Sequence, residues 1–248
     1  MSSTEAPAAA PTRQQNRIDT EARIVAAARS LLLNQGEVTL RAVARELGMT
    51  APALYRYAAS HEDLVRIVAI AIDADVAKRV SAAADQQPAD DPAARLIAAA
   101  VAFRAWALDN RKEFGLVFTN VDVDCIDNLD AASCGMTFSA LLFALWEERR
   151  FPIPRLDELD PGLAEILRDP MVPADLSGVP DEMRGLVWLL ERSWSRLYGT
   201  VTLEVFGHID PRIVEQAHMF RAMIEDQAAP LGLAEELPRV RALLDELL

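Results

Sequence analysis

The chain of 248 residues contains few of the residue types on which β-rich, disulfide-linked and metal-binding proteins depend. Aromatic residues make up 6%, and there are only three histidines and two cysteines, Cys125 and Cys134. Two cysteines cannot build a disulfide framework or a four-thiolate zinc site, and so few aromatics argue against a β-sandwich. We therefore expect no metal and no cofactor. The cysteine content favours a reducing, cytoplasmic environment.

Long apolar runs are also missing. The longest, such as residues 64–72, are interrupted by charged residues well short of the roughly 20 apolar residues that a membrane-spanning helix requires. Residues 1–11 have neither the basic start nor the apolar centre of a secretion signal. The sequence therefore predicts no membrane partner.

Alanine is abundant, with 42 residues against only 10 glycines. Because alanine is the best helix former, we expect an all-α fold. The apolar residues of the first helix recur at helical spacing, as at Ile24, Ala28 and Leu31. The predicted helices cover residues 18–34, 40–47, 51–57, 62–84, 93–110, 111–118, 132–149, 162–167, 181–206, 211–231 and 234–248.

Charge is distributed unevenly along the chain, whose net charge is −13. Residues 1–66 hold eight arginines and seven acidic residues, whereas residues 67–248 hold 17 basic and 31 acidic residues. The acidic body would be repelled by nucleic acid, so bulk charge does not drive DNA binding. Only the N-terminal part is suited to approach DNA.

The segment from Thr39 to Tyr57 has the pattern of a helix-turn-helix. Two short predicted helices flank Gly48, and the small residue Ala44 permits a close helix crossing. Leu54 of the second helix can pack against the first. In this motif the second helix enters the major groove of DNA.

An ordered set of residues across this region resembles the tetracycline-repressor (TetR) family of bacterial transcription regulators. The matching residues are Gly36, Thr39, Ala44, Gly48, the Leu-Tyr-Arg-Tyr run at 54–57 and residues 60–64. The resemblance implies an all-helical homodimer whose three N-terminal helices bind DNA and whose larger C-terminal part binds a small molecule and dimerises. We therefore expect a flexible tail at 1–16, a helix-turn-helix domain at 17–62 and an effector-binding and dimerisation domain at 63–248.

The candidate DNA-binding residues lie on or beside the predicted recognition helix and on the tail. The hydroxyls of Thr39 and Thr50 can reach phosphate, Arg41 and Arg56 can reach bases or backbone, and the resemblance places the two tyrosines near phosphates. Arginines of the tail could enter a minor groove. The alternative is that the tyrosines are packing residues and the arginines a solvated face. The full set is Arg17, Thr39, Arg41, Thr50, Ala51, Ala53, Tyr55, Arg56, Tyr57 and His61, with Arg13 as a second residue of the tail.

Two positions in this region depart from the family pattern. Ala58 stands where the family usually has phenylalanine, and His61 stands where it usually has a lysine that often touches phosphate. A neutral histidine would weaken that contact.

Aromatic residues gather on the later helices, where an apolar effector cavity is expected because the family has one. The alternative is an ordinary hydrophobic core. The run 194–199, with tryptophan first and glycine last, resembles effector domains that carry a Trp-x-x-x-His-Gly signature, with Tyr198 in place of the histidine. The candidate effector-binding residues are Phe103, Trp106, Asn110, Phe114, Phe118, Phe138, Trp188, Trp194 and Tyr198.

Two further features of the C-terminal part have alternative interpretations. Helices 181–206 and 211–231 can form a two-fold four-helix dimer interface with close approach at Gly199, or an intramolecular hairpin. Asp122, Asp124 and Asp127 can attract a cation or metal, or form a solvated loop.

Taken together, these patterns predict a ligand-responsive, homodimeric transcription regulator, a repressor released from double-stranded operator DNA by a small molecule. One alternative is an all-helical enzyme or binding protein with an apolar pocket, but the chain has no catalytic motif and we expect no enzymatic activity. Another is an architectural DNA-binding protein without an effector.

Overall fold

Helices make up the ordered elements of the computed structural model, which describes residues 13–36, 38–118, 133–172, 176 and 179–248. Within these residues there is no strand, so the predicted all-α fold is confirmed. The helices are α1 (Arg13–Gln35), α2 (Leu40–Glu46), α3 (Ala51–Leu54), α4 (His61–Asp85), α5 (Pro92–Asp109), α6 (Arg111–Phe118), α7 (Cys134–Arg149), α8 (Pro161–Arg168), α9 (Gly185–Val205), α10 (Pro211–Glu215), α11 (His218–Ala228) and α12 (Leu237–Leu247). Single 3₁₀ turns lie at Leu156–Glu158, Asp181–Met183 and Ala234–Glu236.

The chain divides into two compact units between Ala71 and Ile72. The division lies inside α4, whereas the sequence predicts a domain boundary at 62/63, where α4 begins. Helix α4 carries buried residues on both sides of the division, such as Val68 and Val76. The boundary at 62/63 stays a prediction.

The first unit is built on a small apolar core. Helix α1 buries Ile24, Ala28 and Leu31 at the spacing that the sequence predicts, and it packs on α2, which packs on α3. Val43 and Leu54 are fully buried, so α3 is held in place by a single leucine and its short turn.

The first helix begins earlier than the sequence predicts. Residues 13–16, expected in the flexible tail, are helical, while residues 1–12 of that tail lie outside the described residues. Side chains four residues apart explain the extension: the Gln15 amide donates to Asp19 at 2.9 Å and Arg17 pairs with Glu21 at 2.9 Å. Such pairs stabilise a helix without an apolar stripe.

The second unit has its main core around α5, α7 and α9. Helix α5 packs on α7 and α9, α9 packs on α11, and α12 packs on α5 and α11. Leu142, Leu145 and Leu186 are fully buried at the centre. Helix α6 has the predicted bounds, and α7 begins two residues after its predicted start.

A buried ion pair joins two of these helices. The Arg104 Nε donates to Glu204 Oε2 at 2.6 Å, and Arg104 Nη2 donates to the carbonyl of Val214 at 2.6 Å. The guanidinium carbon also lies 5.4 Å from the ring centroid of Phe220. The Glu204 carboxylate is fully buried, and its Oε1 has no partner among the described residues.

The structure divides one of the predicted helices into two. Residues 211–231 divide into α10 and α11 at Ala217, whose φ is 53°. The break lies close to Val214, whose carbonyl accepts hydrogen bonds from both the Ala217 amide and the Arg104 guanidinium. The sequence alone does not reveal the contact to this carbonyl, because Arg104 lies 110 residues away along the chain.

Candidate nucleic-acid interface and ligand cavity

The turn between α2 and α3 depends on Gly48. Its φ is +63°, its amide donates to the carbonyl of Arg45 at 3.2 Å, and the Met49 amide donates to that of Ala44 at 2.8 Å. These two bonds form a Schellman motif, which needs a left-handed residue just after the helix. A Cβ on Gly48 would meet no atom within 4 Å, so the backbone angle and not lack of space requires glycine.

Helix α3 is shorter than the predicted 51–57. It starts at Ala51, after the N-cap Thr50, with Pro52 in the first turn, and it ends at Leu54. The amides of Tyr57 and Ala58 then both donate to the Leu54 carbonyl. Residues 55–57 form a turn that continues from α3. Ala58, where the family usually has phenylalanine, is buried.

Most of the predicted DNA-binding residues are exposed on the first unit. Tyr55 is 52% exposed, although a large aromatic side chain is usually buried, and Ala53 and Tyr57 are half-buried. The Thr39 hydroxyl accepts from the Ala42 amide at 3.2 Å as the N-cap of α2, whereas Thr50 makes no side-chain cap bond within the described residues. The exposed members are Arg17, Thr39, Arg41, Thr50, Ala51, Tyr55, Arg56 and His61.

The two arginines assigned to the tail need a correction. Arg13 and Arg17 lie on the first two turns of α1, and Arg17 is paired with Glu21. Both side chains therefore extend from a helix and not from an extended arm, and their contact with DNA stays a prediction.

The start of α4 holds His61 at the edge of the first unit. The Ser60 hydroxyl accepts from the Asp63 amide at 3.1 Å, and Asp63 Oδ2 accepts from the Ala59 amide at 3.2 Å. This reciprocal cap fixes the first turn, where His61 and Glu62 are exposed.

Most of the predicted effector-binding aromatics form one cluster in the second unit. Ring centroids of neighbouring members lie 5.1–6.4 Å apart. Phe206, which the sequence analysis did not select, joins through Phe114 at 6.1 Å. The members from the predicted set are Phe103, Trp106, Phe114, Phe118, Phe138, Trp194 and Tyr198.

A cavity of about 1010 Å³ lies beside this cluster. Five of the predicted residues line it: Phe118, Phe138, Trp188, Trp194 and Tyr198. The Tyr198 hydroxyl donates to the carbonyl of Phe118, and the rings of Trp194 and Tyr198 stack 6.0 Å apart.

The other four predicted residues are not among the described residues that line this cavity. Phe103, Trp106 and Phe114 are buried in the core behind it. Asn110 follows the last residue of α5, where its Nδ2 donates to the carbonyl of Trp106 at 2.8 Å. These four residues have structural roles in the chain, and their assignment to an effector stays a prediction.

Two acidic residues of the cavity were not predicted from the sequence. Asp73 and Glu191 both line it. Burial raises the pKa of Asp73 to about 6, opposed by the Cys134 amide, which donates to Asp73 Oδ1 at 3.2 Å. Burial also raises the pKa of Glu191. A signal existed for Asp73, which lies on the apolar face of α4, four residues after Ala69 and three before Val76.

The described part of the chain was compared with the predictions about metal ions and membranes. Within the described ranges, no three His, Cys, Asp or Glu side chains are grouped so that they could hold a metal ion. Asp122, Asp124, Asp127 and Cys125 lie outside the described residues. Among the described helices, none combines the length and apolar character needed to cross a membrane.

Comparison with known protein families decides the identity of both units. Residues 24–68 match the model of bacterial regulatory proteins of the tetR family, and residues 96–227 match the tetracyclin repressor-like C-terminal domain. The chain belongs to the TetR family. The members of this family are helix-turn-helix transcription regulators and not enzymes.

Individual relatives of this TetR-family protein agree with the assignment. It is 37% identical over 108 residues to the HTH-type transcriptional regulators Rv1816 of Mycobacterium tuberculosis (strain ATCC 25618 / H37Rv) and Mb1846 of Mycobacterium bovis. Each match spans 43% of this chain and 46% of the relative, about half the length of these curated proteins. The crystal structure of SCO4313 shares the fold, with a TM-score of 0.60 at 23% identity over 89% of this chain and 100% of that one.

Proposed function

We propose that this TetR-family regulator is a cytoplasmic homodimeric repressor that a small molecule releases from its operator. The observation that carries the proposal is the cavity of about 1010 Å³ in the unit that does not contain the helix-turn-helix. Its volume suits an organic ligand, since small-molecule pockets measure about 300–1,000 Å³. Its lining combines aromatic rings with a few polar groups, as such pockets do.

The dimeric part of the proposal is supported by exposed apolar side chains on α9, directly after α9 and on α11. Leu203, Phe206 and Met219 are each more than two-fifths exposed. A Cβ on Gly199, in the middle of α9, would meet no described atom within 4 Å. Glycine costs stability inside a helix, so close packing within the chain does not account for it there. A second copy of the same surface accounts for both observations.

The proposed coupling acts through the distance between two recognition helices. A dimer binds half-sites one DNA turn apart, about 34–36 Å. A ligand that favours a different spacing weakens operator binding, typically by about 1–3 kcal/mol. Helix α4 carries residues of both units, so it is the element through which the cavity and the DNA-binding unit would be coupled.

The test begins with the selection of DNA from a random pool by the full chain. A screen then identifies compounds that raise the melting temperature of the protein. A true effector should lower operator affinity about 5–150-fold. By reciprocity, operator DNA should lower effector affinity by the same factor. A compound that binds the cavity equally well with and without operator would support an architectural DNA-binding protein instead.

We expect operator binding to depend strongly on salt. About 6–8 phosphate contacts per dimer give a slope of about −5 to −7 for log affinity against log salt concentration. Filter binding or fluorescence anisotropy from 50 to 200 mM salt measures this slope. As a control, Arg212→Ala removes an exposed arginine of the second unit and should leave the slope unchanged. A flat salt dependence contradicts phosphate binding by the first unit.

Tyr55 and Arg56 should have different effects on DNA binding. Tyr55→Phe should weaken all sequences about equally if its exposed hydroxyl meets phosphate. Arg56→Ala should cost about 1–3 kcal/mol and relax preference at one base position if the side chain reads a base. Binding to a library of single-base operator variants measures both effects. If both variants bind like the parent, the turn after α3 does not contact DNA.

A further inference from the structure

The charged groups of the cavity differ in their burial. Asp73 on α4 and Glu191 on α9 are half-buried, whereas Asp169, Arg192 and Arg196 are exposed. Charges exposed to solvent interact weakly because water and salt screen them. The half-buried charged groups of the lining are therefore the two carboxylates, and the charges that water screens most are those of Asp169, Arg192 and Arg196.

Neither carboxylate has a cationic partner among the described residues. Asp73 Oδ1 accepts from the backbone amide of Cys134 at 3.2 Å, and no ion pair between described side chains includes Asp73 or Glu191. Desolvation therefore penalises the charge of both groups, and it raises the pKa of each. A purely apolar ligand would increase this penalty by displacing water from them.

The aromatic wall of the same cavity favours the same kind of charge. Trp188, Trp194 and Tyr198 line it together with Phe118 and Phe138. The faces of aromatic rings attract cations and repel anions, and the effect increases when water is excluded. Carboxylates and ring faces thus select for one sign of charge, and the exposed apolar side chains of Ile166 and Met171 widen the apolar surface at the lining.

We propose that the cavity binds a lipophilic organic cation, an amine or quaternary onium group on an apolar body, with its charge beside Asp73 and Glu191. This inference rests on the proposed function, in which the cavity is the effector site. The bound cation supplies the partner that the two carboxylates lack, and the apolar body covers the aromatic wall.

Three phenyl-substituted probes of different charge test which sign of charge the cavity of the full chain prefers, by calorimetry at pH 7.5. They are the tetraphenylphosphonium cation, neutral triphenylphosphine oxide and the tetraphenylborate anion. We expect tetraphenylphosphonium to bind at least about 10-fold more tightly than the neutral probe, and tetraphenylborate to bind most weakly. Tighter binding of the neutral or anionic probe overturns the proposal, and so does failure of all three to bind.

Substitutions then locate the charge. Asp73→Asn and Glu191→Gln should each weaken tetraphenylphosphonium binding about 10-fold and leave triphenylphosphine oxide unchanged. The control is Asp75→Asn, which makes the same change on an exposed position of α4 that pairs with Lys78. Two target variants keep the test decisive if one of them fails to fold. Unchanged cation affinity in the folded variants overturns the assignment.

The pH dependence adds a readout specific to Asp73. The cation binds the ionised carboxylate, so affinity should rise as pH increases from 5 to 7.5, through the pKa of about 6. Glu191, whose pKa burial also raises, contributes in the same direction. The profile should become shallower in Asp73→Asn. A profile identical to that of the parent chain contradicts the role of Asp73.

Operator release separates this inference from the proposed function. If tetraphenylphosphonium binds through Asp73 but does not release DNA, the cation site stands and the effector mechanism fails. If a neutral or anionic compound releases DNA from the cavity and the cation does not bind, the effector mechanism stands and the cation preference fails.

Discussion

Replacing Arg104 with methionine is expected to lower the free energy of unfolding of the second unit by about 3–5 kcal/mol. The substitution leaves the Glu204 carboxylate fully buried without its 2.6 Å ion pair and removes the donor to the Val214 carbonyl. Urea denaturation followed by tryptophan fluorescence measures the loss. All four tryptophans belong to the second unit, so the signal reports that unit. Protein concentration is held constant because dimerisation would shift the apparent stability.

The same helix provides a matched control for this variant. Arg95, also on α5, pairs with Asp85 at 2.6 Å, but Asp85 is 63% exposed. Because water screens that pair, Arg95→Met should cost about 1 kcal/mol or less. The double variant Arg104→Met with Glu204→Leu should recover much of the loss, since it removes both buried charges. Equal losses for Arg95→Met and Arg104→Met would contradict the importance of burial.

The loss in Arg104→Met should also depend on pH. Burial raises the pKa of Glu204 even with Arg104 beside it, and removing the arginine raises it further. The folded state then binds a proton more tightly than the unfolded state, so stability falls as pH rises from the unfolded pKa through the folded one. The destabilisation should therefore be smaller near pH 4.5 than at pH 7.5. A loss that does not change with pH would point to lost packing instead.

The second large effect is expected from Gly199→Glu, which should yield a monomer that no longer binds operator. A charge at a two-fold interface faces its own copy and must be desolvated without a partner. One half-site alone loses the gain of bivalent binding, so operator affinity should fall about 100-fold or more. Sedimentation measures the association state, and fluorescence anisotropy measures operator affinity.

The fold of the single chain should survive this substitution. A Cβ at position 199 meets no described atom within 4 Å, and glutamate is a better helix former than glycine. Helical circular dichroism should therefore be retained. Ala140→Glu, which places the same charge on an exposed position of α7, serves as the control and should remain dimeric. A dimeric Gly199→Glu variant with full operator affinity would locate the interface on another surface.

Several local features were predictable from the sequence. The end of α2 follows from Gly48, whose positive φ a side chain would disfavour, and the start of α4 follows from Ser60 and Asp63. Helix α6 also has its predicted bounds. The end of α3 was not predictable. The amides of Tyr57 and Ala58 both donate to the Leu54 carbonyl, and these bonds form a turn in place of another turn of helix.

The candidate cavity was predictable only in part. Aromatic composition and the family resemblance indicated a cluster, but which rings line the space and which lie behind it depends on how α5, α6, α7 and α9 pack. Asp73 and Glu191 are far apart in sequence, and only the fold brings both of them to the lining of one cavity. Periodicity indicates that Asp73 lies on an apolar face, yet it does not indicate what faces it.

The sequence by itself determined the helical class, the helix-turn-helix and the charge difference between the two parts of the chain, because propensity, turn geometry and charge reside in neighbouring residues. Tertiary structure alone decided the contacts between distant residues. The Arg104–Glu204 pair joins residues 100 positions apart, and the break at Ala217 lies beside the carbonyl that Arg104 binds. A buried charge is stable only with a partner, and only the packing of the chain brings such distant partners together.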